Sequence, residues 1–445
     1  MKKRIISAIL TLVILIAAIW WAVFFFGPGR ILSRAEIMLE KDNPAAAVEL
    51  LDKLSDSDSA KTLYRVAVLY NRAGDEASLE KTVRRLNEVA PQDPCTYAAR
   101  LILDWAADIG ERNAIYEEAK ANGINLSGVA PKAPATKQAD GDVVAPLTDV
   151  EIFPYRSSET VYLEINGSEA DRYSPTYAQP LCAVYGEYPI SAVSLNADGV
   201  PSPTMTRTLS VTEECAVPFT DSTFEAIILG TLNEEFYREV TNKELRGITN
   251  LIVNSSVGEN FFADEVKSYH DLRYFAHLDT LGISQNQELQ DLSVLCGLYG
   301  LKKFALYGPL EENFSYIASL RGLTSLSLER PMINDLEIIK KMSALTVLRI
   351  TVGEISDLSE LRNHKNLTAL QLDYQKISDL TPVADLTRLE FLNLYKNEIT
   401  DITPLSGLLK LRHLDLRENP VDKGADLANL LPLDNLPLDS ILIGE

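Results

Sequence analysis

The stretch Leu389-Glu-Phe-Leu392-Asn-Leu394-Tyr-Lys-Asn397-Glu-Ile399-Thr-Asp401 decides how the second half of this chain folds. Stepping back 22 residues gives Leu367, Leu370, Leu372, Ile377 and Asp379, and stepping forward gives Leu411, Leu414 and Leu416. The columns run on through Leu345, Leu348, Ile350, Ile355 and Asp357 to Leu323, Leu326, Leu328, Ile333 and Asp335. One such unit cannot bury its own apolar face, so the spacing predicts turns that stack and share a core. Each L-x-x-L-x-L segment then supplies a short parallel strand with leucines inward and alternate residues on a concave, solvent-facing sheet. The aspartates, preceded by Ser356, Ser378 and Thr400 in three turns, suit a side-chain cap where the chain leaves the strand. Pro382 and Pro404 stiffen the return.

With these columns in place, residues 278 to 432 resemble the internalin-type leucine-rich repeats of bacterial surface proteins. Asn397 and Asn419 match the inward Asn of that family, whereas Pro331, Gly353 and Gln375 stand in the same column and leave the Asn ladder incomplete. His364 occupies a column held elsewhere by Met342, Leu386 and Leu408, which reads as a loosened turn. The repeat also defines a surface of three outward columns. These are Lys303, Ser325, Val347, Ala369, Phe391 and His413; Ala305, Ser327, Arg349, Gln371, Asn393 and Asp415; and Tyr307, Glu329, Thr351, Asp373, Tyr395 and Arg417. With turns about 4.8 Å apart, Phe391, Tyr395, His413 and, on the loop edge, Tyr374 are expected to form one aromatic patch beside Asp373 and Arg417. Exposed rings beside charges are anchor chemistry for protein recognition, although strand propensity alone also selects Phe and Tyr. The candidate protein-binding residues are Tyr307, Glu329, Arg349, Asp373, Tyr374, Phe391, Tyr395, His413 and Arg417.

The totals limit the function classes. Sixty-three acidic against 42 basic side chains, a net charge of -21, argue against nucleic acid as a partner, because phosphate binding needs clustered cations. Cys95, Cys182, Cys215 and Cys296 are scattered without a C-x-x-C pair, so neither a disulfide framework nor a zinc site is expected. P-loop, G-x-S-x-G and H-E-x-x-H motifs are absent, and the chain holds 4 histidines. No cofactor and no enzymatic activity are expected.

At the N-terminus Lys2, Lys3 and Arg4 precede an apolar run from Ile5 to Phe26, long enough as a helix to cross a hydrocarbon core of about 30 Å. Bulky Trp20, Trp21 and Phe24 stand where a cleavable signal would carry small residues, so the run reads as a retained anchor. The compact cationic tip orients the N-terminus to the cytoplasm and the body outside.

Residues 31 to 127 have helical periodicity. Counting from residue 60, Leu63, Ala67, Tyr70, Gly74 and Pro91 resemble the pattern of a tetratricopeptide repeat, with Gly74 and Asp75 breaking the helix pair. A proline-bearing linker spans 128 to 146. In the segment 147 to 212, runs such as Val161 to Ile165 and Ile190 to Leu195 are separated by Asn166-Gly167 and Ala197-Asp198-Gly199 turns, which predicts a small all-β sandwich. The wording Val161-Tyr-Leu-Glu-Ile-Asn-Gly167, Ser174-Pro-Thr-Tyr177 and Tyr188 to Val200 resembles the C-terminal sandwich domain of chitobiases and β-hexosaminidases. In those glycosidases the domain lies apart from the catalytic barrel, so the resemblance implies an accessory module. Tyr162, Tyr173, Tyr177, Tyr185 and Tyr188 could stack on sugar rings or fill the core.

Residues 213 to 247 are expected to cap the solenoid. Ser222-Thr-Phe-Glu225 and Thr241-Asn-Lys-Glu244 are capping-box patterns, opening helices at Phe224 to Phe236 and from Leu245. Residues 248 to 445 hold the repeats, ending in an edge strand around Leu436 and Leu438. The chain is therefore read as multidomain: an anchor in residues 1–30, a tetratricopeptide-like α-helical array, a linker, a sandwich, a cap and a leucine-rich repeat solenoid. Its leading function is membrane-anchored capture of a protein partner on the concave face at the cell surface. The alternative is binding of carbohydrate or cell-wall glycan through the sandwich, with the repeats as spacer.

Overall fold

The computed structural model describes residues 27–41, 43–107, 110–233, 238–254, 266–284, 292–310, 314–331, 333–421 and 441–442. The expected membrane-spanning run, Ile5 to Phe26, lies outside these residues; among the described residues no helix is long and apolar enough to cross a membrane. The chain forms two compact units. One gathers the described residues up to Pro134 with Pro154–Thr160 and Val193–Thr204; the other holds Ala135–Phe153, Val161–Ala192 and the chain from Met205 onward. The strand-rich segment contributes residues to both.

Six helices dominate the first unit: α1 (Pro28–Glu40), α2 (Pro44–Leu51), α3 (Ala60–Ala73), α4 (Glu76–Val89), α5 (Pro94–Ala107) and α6 (Arg112–Ala121). Their boundaries follow from local chemistry. The Ser59 hydroxyl accepts from the Thr62 amide at 3.3 Å to open α3. Gly74 closes α3 with φ of 72°, a left-handed conformation that costs glycine nothing. Asp75 then opens α4, its Oδ1 accepting from the Ser78 amide at 3.0 Å. Leu63, Ala67 and Tyr70 of α3 are buried with Leu79, Val83 and Leu86 of α4 and with Tyr97 and Leu101 of α5. The segment Val193–Thr204 belongs to the same unit. Its Val200 is buried in this helical core, the Tyr116 hydroxyl donates to the Pro201 carbonyl at 2.7 Å, and the Tyr64 hydroxyl donates to Asp198 at 3.0 Å.

Seven short strands follow in chain order: β1 (Ala135–Thr136), β2 (Thr148–Val150), β3 (Ile152–Phe153), β4 (Thr160–Glu164), β5 (Leu181–Ala183), β6 (Gly186–Leu195) and β7 (Met205–Val211). They pair as β1-β3, β2-β5 and β4-β6-β7. Within the second unit this segment is fastened to the repeats. Tyr177 stacks on Tyr299 with ring centroids 5.9 Å apart, the Gln179 amide donates to the Tyr299 hydroxyl at 3.0 Å, and the Arg321 guanidinium donates to the Tyr162 hydroxyl at 2.7 Å.

The solenoid is a nine-stranded sheet in chain order: β8 (Asn250–Asn254), β9 (Thr280–Ser284), β10 (Lys303–Leu310), β11 (Ser325–Pro331), β12 (Val347–Thr351), β13 (Ala369–Gln371), β14 (Phe391–Asn393), β15 (His413–Asp415) and β16 (Ile441–Leu442). Every neighbouring pair is parallel, with 22-residue register from Lys303↔Ser325 to Phe391↔His413. The inward strand residues, among them Leu281, Ile283, Leu326, Leu328, Leu348, Ile350, Leu370, Leu392 and Leu414, are buried. Each contributes roughly 1.5–3 kcal/mol that only a neighbouring turn makes available. The expected edge strand around Leu436 and Leu438 falls outside the described residues; the strand that pairs with β15 is β16.

The aspartate column caps the returns as its spacing predicts. The carboxylates of Asp335, Asp357, Asp379 and Asp401 accept from backbone amides two residues on, at 2.8–3.0 Å, each opening a short 3-10 turn. The entry cap departs from expectation in detail. Asp221, rather than Ser222, caps the helix Ser222–Thr231, accepting from the amides of Thr223 and Phe224 at 2.9 Å. Asp221 already satisfies those orphan donors, so the helix begins one residue earlier than the Ser222 pattern requires. The second helix, Asn242–Arg246, carries the predicted capping box between Thr241 and Glu244, but it opens before Leu245 and ends at Arg246.

One further reading of the repeat is corrected and another is extended. His364 does not loosen its turn: it is buried, with Nδ1 2.9 Å from the Glu360 carbonyl and Nε2 3.0 Å from the Ile339 carbonyl, so it ties adjacent turns together. Nor does the amide ladder stop at Asn397. Asn397 donates to the Leu372 carbonyl at 2.8 Å and accepts from the Ile377 amide at 3.0 Å. Gln375 repeats this one turn earlier, donating to the Ile350 carbonyl at 3.2 Å and accepting from the Ile355 amide at 3.0 Å. Its extra methylene is accommodated because position 353 is glycine; a Cβ there would stand 2.8 Å from Gln375 Oε1. Gly353→Ala is therefore expected to cost about 1–3 kcal/mol of stability by overpacking. Gln375→Asn added to it should recover part of the loss, giving a non-additive double-mutant cycle in urea unfolding. Additive effects would mean that the two positions are not coupled.

Candidate functional site

The outward face of the sheet is built by the alternation that buries the leucines: in each strand the residues between them point out. The register stacks Lys303, Ser325, Val347, Ala369, Phe391 and His413 in one column and Ala305, Ser327, Arg349, Gln371, Asn393 and Asp415 in the next. The third column begins in the sheet with Tyr307, Glu329 and Thr351. Strands β13, β14 and β15 are only three residues long, so Asp373, Tyr395 and Arg417 fall just beyond the sheet. They remain stacked because the backbone bonds run on: the amides of Val352, Tyr374 and Lys396 donate to the carbonyls of Asp373, Tyr395 and Arg417 at 2.9–3.1 Å.

These amides belong to a feature that hydrophobic spacing does not signal. Arg330, Val352, Tyr374, Lys396 and Glu418 stand 22 residues apart and all have φ between 56° and 61°. The left-handed conformation costs an L-residue roughly 1–2 kcal/mol, and β-branched Val352 is the least suited to it. The turn is held nonetheless, because the amide ladder satisfies the backbone carbonyls around it. A consequence is that Tyr374 projects from the corner, 41% exposed.

The aromatic side chains do not merge into one patch; they form two pairs. Phe391 and His413 stack with centroids 4.5 Å apart and planes within 8°. Tyr374 and Tyr395 meet edge to face at 5.2 Å. The separation is set by the pleat: Phe391 and Tyr395 lie in different columns, with Asn393 accepting from the Tyr395 amide at 2.9 Å between them. Cations finish the second pair, Arg417 lying 5.5 Å from the centre of the Tyr395 ring and Lys396 4.9 Å from that of Tyr374. Arg417 is itself fixed by a two-point ion pair, its Nε and Nη2 donating to the two Asp415 oxygens at 3.0 and 2.7 Å. Asp373 accepts from Gln371 at 2.7 Å.

The remaining candidates are not drawn into this cluster. Tyr307, 48% exposed, lies on β10, four strands from Phe391. Glu329 has Arg330 as an ion partner at 3.8 Å, and Arg349 is exposed without an ion partner among the described residues. Lys396, Gln371 and Asp415, which complete the site, were not among the candidates. Arg417 two residues after Asp415, in an L-x-L-x pattern that puts both outside, was the legible signal for one of them. Among the described residues no group of three or more His, Cys, Asp or Glu is arranged to hold a metal ion. As for sugar stacking, Tyr162 and Tyr188 are buried, and Tyr177 is stacked on Tyr299 with its hydroxyl accepting from the Ile152 amide at 3.1 Å. Tyr173 and Tyr185 are half-buried.

Burial pushes the Asp415 carboxyl up, but the bonds from Arg417 outweigh it and hold the group below its ordinary range. A carboxyl depressed on folding adds stability above its unfolded value, about 4, and loses it as pH falls through the folded value. Arg417→Gln is therefore expected to lower stability at pH near 7, with the deficit vanishing as the pH falls through the folded value of Asp415. Urea midpoints measured as a function of pH check this; a deficit independent of pH would rule out the ion pair as its cause.

Residues 387–432 match the model of Leucine Rich repeats in two copies. Among solved structures the chain is similar to internalin C2 of Listeria monocytogenes, at 28% identity over 48% of this chain and 90% of that one, with a TM-score of 0.41. It is also similar to an internalin, inlF, of the same species, at 23% identity over 52% and 94% of the respective chains, with a TM-score of 0.34. A third likeness is to a leucine-rich repeat protein of Leptospira interrogans, at 21% identity over 38% and 47%, with a TM-score of 0.31. No curated protein matches the chain. The second half of the chain is a leucine-rich repeat solenoid.

Proposed function

We propose that this protein is a membrane-anchored, non-catalytic surface protein that captures a protein partner on the concave face of its repeats. The observation that carries the reading is the pair of ring clusters on the last regular turns. The strand leucines already supply the core, so Phe391, His413, Tyr374 and Tyr395 are not needed to build it, and they stand half-buried or exposed beside fixed charges. Rigid aromatic side chains lose little entropy on association and dominate binding energies, and an arginine already immobilised adds to them. The apolar run Ile5 to Phe26 supplies the anchor and the cations before it the orientation. The modules in this reading are the anchor in residues 1–30, helices to 127, a linker to 146, an accessory sandwich to 212, a cap to 247 and the repeats beyond. The helical array, which resembles tetratricopeptide repeats, is a second docking site.

Tagged full-length chain, crosslinked on intact cells and recovered, is expected to carry a partner that Phe391→Ala with Tyr395→Ala loses by about tenfold or more, since each hot-spot ring contributes roughly 2 kcal/mol. Capture unchanged by the double substitution would refute the concave-face assignment. Added protease is expected to digest the body on intact cells; a protected body would place it in the cytoplasm instead.

A further inference from the structure

The first unit contains a cavity of about 240 Å³ between the start of α3, the chain at Ser127–Pro131, and the loops around Ser158 and Asp198. Its wall includes a carboxylate whose position needs a partner. Glu159 is 8% exposed, and its Oε2 is sealed from water without a hydrogen-bond donor. Neither a cation nor a donor side chain among the described residues meets this carboxylate. Burying a charged carboxylate in this way costs several kcal/mol unless something supplies the missing positive charge.

The other acidic wall residue is arranged differently. Asp198 is satisfied by the Tyr64 hydroxyl at 3.0 Å and by Arg65 at 3.3 Å. Arg65 also pairs with Glu36, so no positive charge is left over for Glu159. Three residues before Glu159, across a turn closed by the Glu159 amide on the Arg156 carbonyl at 3.0 Å, Arg156 also lines the cavity. Its guanidinium is exposed and has no partner among the described residues. The cavity is thus lined by Glu159, whose sealed Oε2 leaves Oε1 as the oxygen a ligand can reach, and by the unpaired cation of Arg156, with Ser127, Ser158 and Asn196 as neutral polar groups.

We propose that this cavity binds a compact zwitterion of the α-amino acid class, its ammonium on Glu159 and its carboxylate on Arg156. Size supports the class: the cavity is smaller than the roughly 300–1,000 Å³ that take drug-sized ligands. An ammonium brings three donors and the charge that Glu159 lacks, and a carboxylate matches the planar guanidinium fork. A simple amine would satisfy Glu159 and leave Arg156 idle, which distinguishes the two ligand types.

The test is equilibrium dialysis of the full chain in detergent micelles against the radiolabelled protein amino acids, taken singly, and against putrescine as an amine lacking a carboxylate. At least one amino acid is expected to bind with one molecule per chain. Glu159→Gln should weaken it about tenfold or more, as loss of a charged hydrogen bond implies. Arg156→Gln should weaken the amino acid but not putrescine. Because Arg156 is exposed, that variant keeps the test open even if Glu159→Gln fails to fold. Binding by none of the amino acids, binding by putrescine alone, or binding indifferent to both substitutions would overturn the proposal.

Discussion

Everything in the second half of this protein depends on the fact that no turn of the repeat can bury its own leucines. Leu370, for example, is sealed only because Leu348 and Leu392 stand in register on either side. Removing one such side chain typically costs about 2–5 kcal/mol, and the loss falls on neighbours as well as on the turn that suffers it. The same constraint explains why side chains are recruited to pair the polar backbone groups of the turns. A turn leaving a parallel strand has carbonyls with no strand to meet them, and a buried carbonyl left unpaired is expensive. Asn397, Asn419 and Gln375 reach across the turn to supply those bonds, while His364 does so deeper in the stack.

Stacking also explains why the left-handed corners survive without glycine. Five residues of ordinary type hold positive φ at one column, which isolated chains would avoid. Tyr374 and Lys396 are over-determined by an inter-turn amide bond on one side and the side-chain amides of Gln375 and Asn397 on the other. The strain has a geometric product: Tyr374 and Lys396 are lifted out of the sheet at adjacent corners, where the cation lies against the ring. An arrangement forced by the core thus helps to define the candidate binding surface.

What could be read from the sequence was whatever repeats. The columns predicted the inward leucines, the aspartate caps and the outward positions, because a period of 22 converts directly into register. What could not be read was set by side chains meeting out of period. Gly353 and Gln375 looked like two interruptions of a ladder, yet one makes room for the other. Asp221 took the cap that Ser222 seemed to offer because its carboxylate also accepts from the amides of Lys267 and Ser268 at 2.8 and 3.0 Å, a long-range demand invisible locally. Asp198 read as a turn residue, and its pairing with Tyr64 and Arg65, more than 130 positions away, left no trace in spacing.

The two candidate sites differ in how their charges are held, and that difference bears on what each can bind. On the outward face of the repeats Arg417 is already neutralised by Asp415, so a partner bound as proposed would meet a rigid plane flanking Tyr395 rather than a free cation. Recognition at the proposed site would be governed by shape and by the faces of the rings, which suits a protein surface. In the cavity of the first unit the charges of Glu159 and Arg156 are left unspent, and recognition is governed by electrostatic complementarity at short range. A buried charge without a partner makes the unliganded state less stable than it need be, so any ligand that supplies the missing ion stabilises the fold as it binds. Occupancy of the cavity would therefore be linked to the stability of the helical unit, and the ring clusters on the repeats have no such dependence built into them.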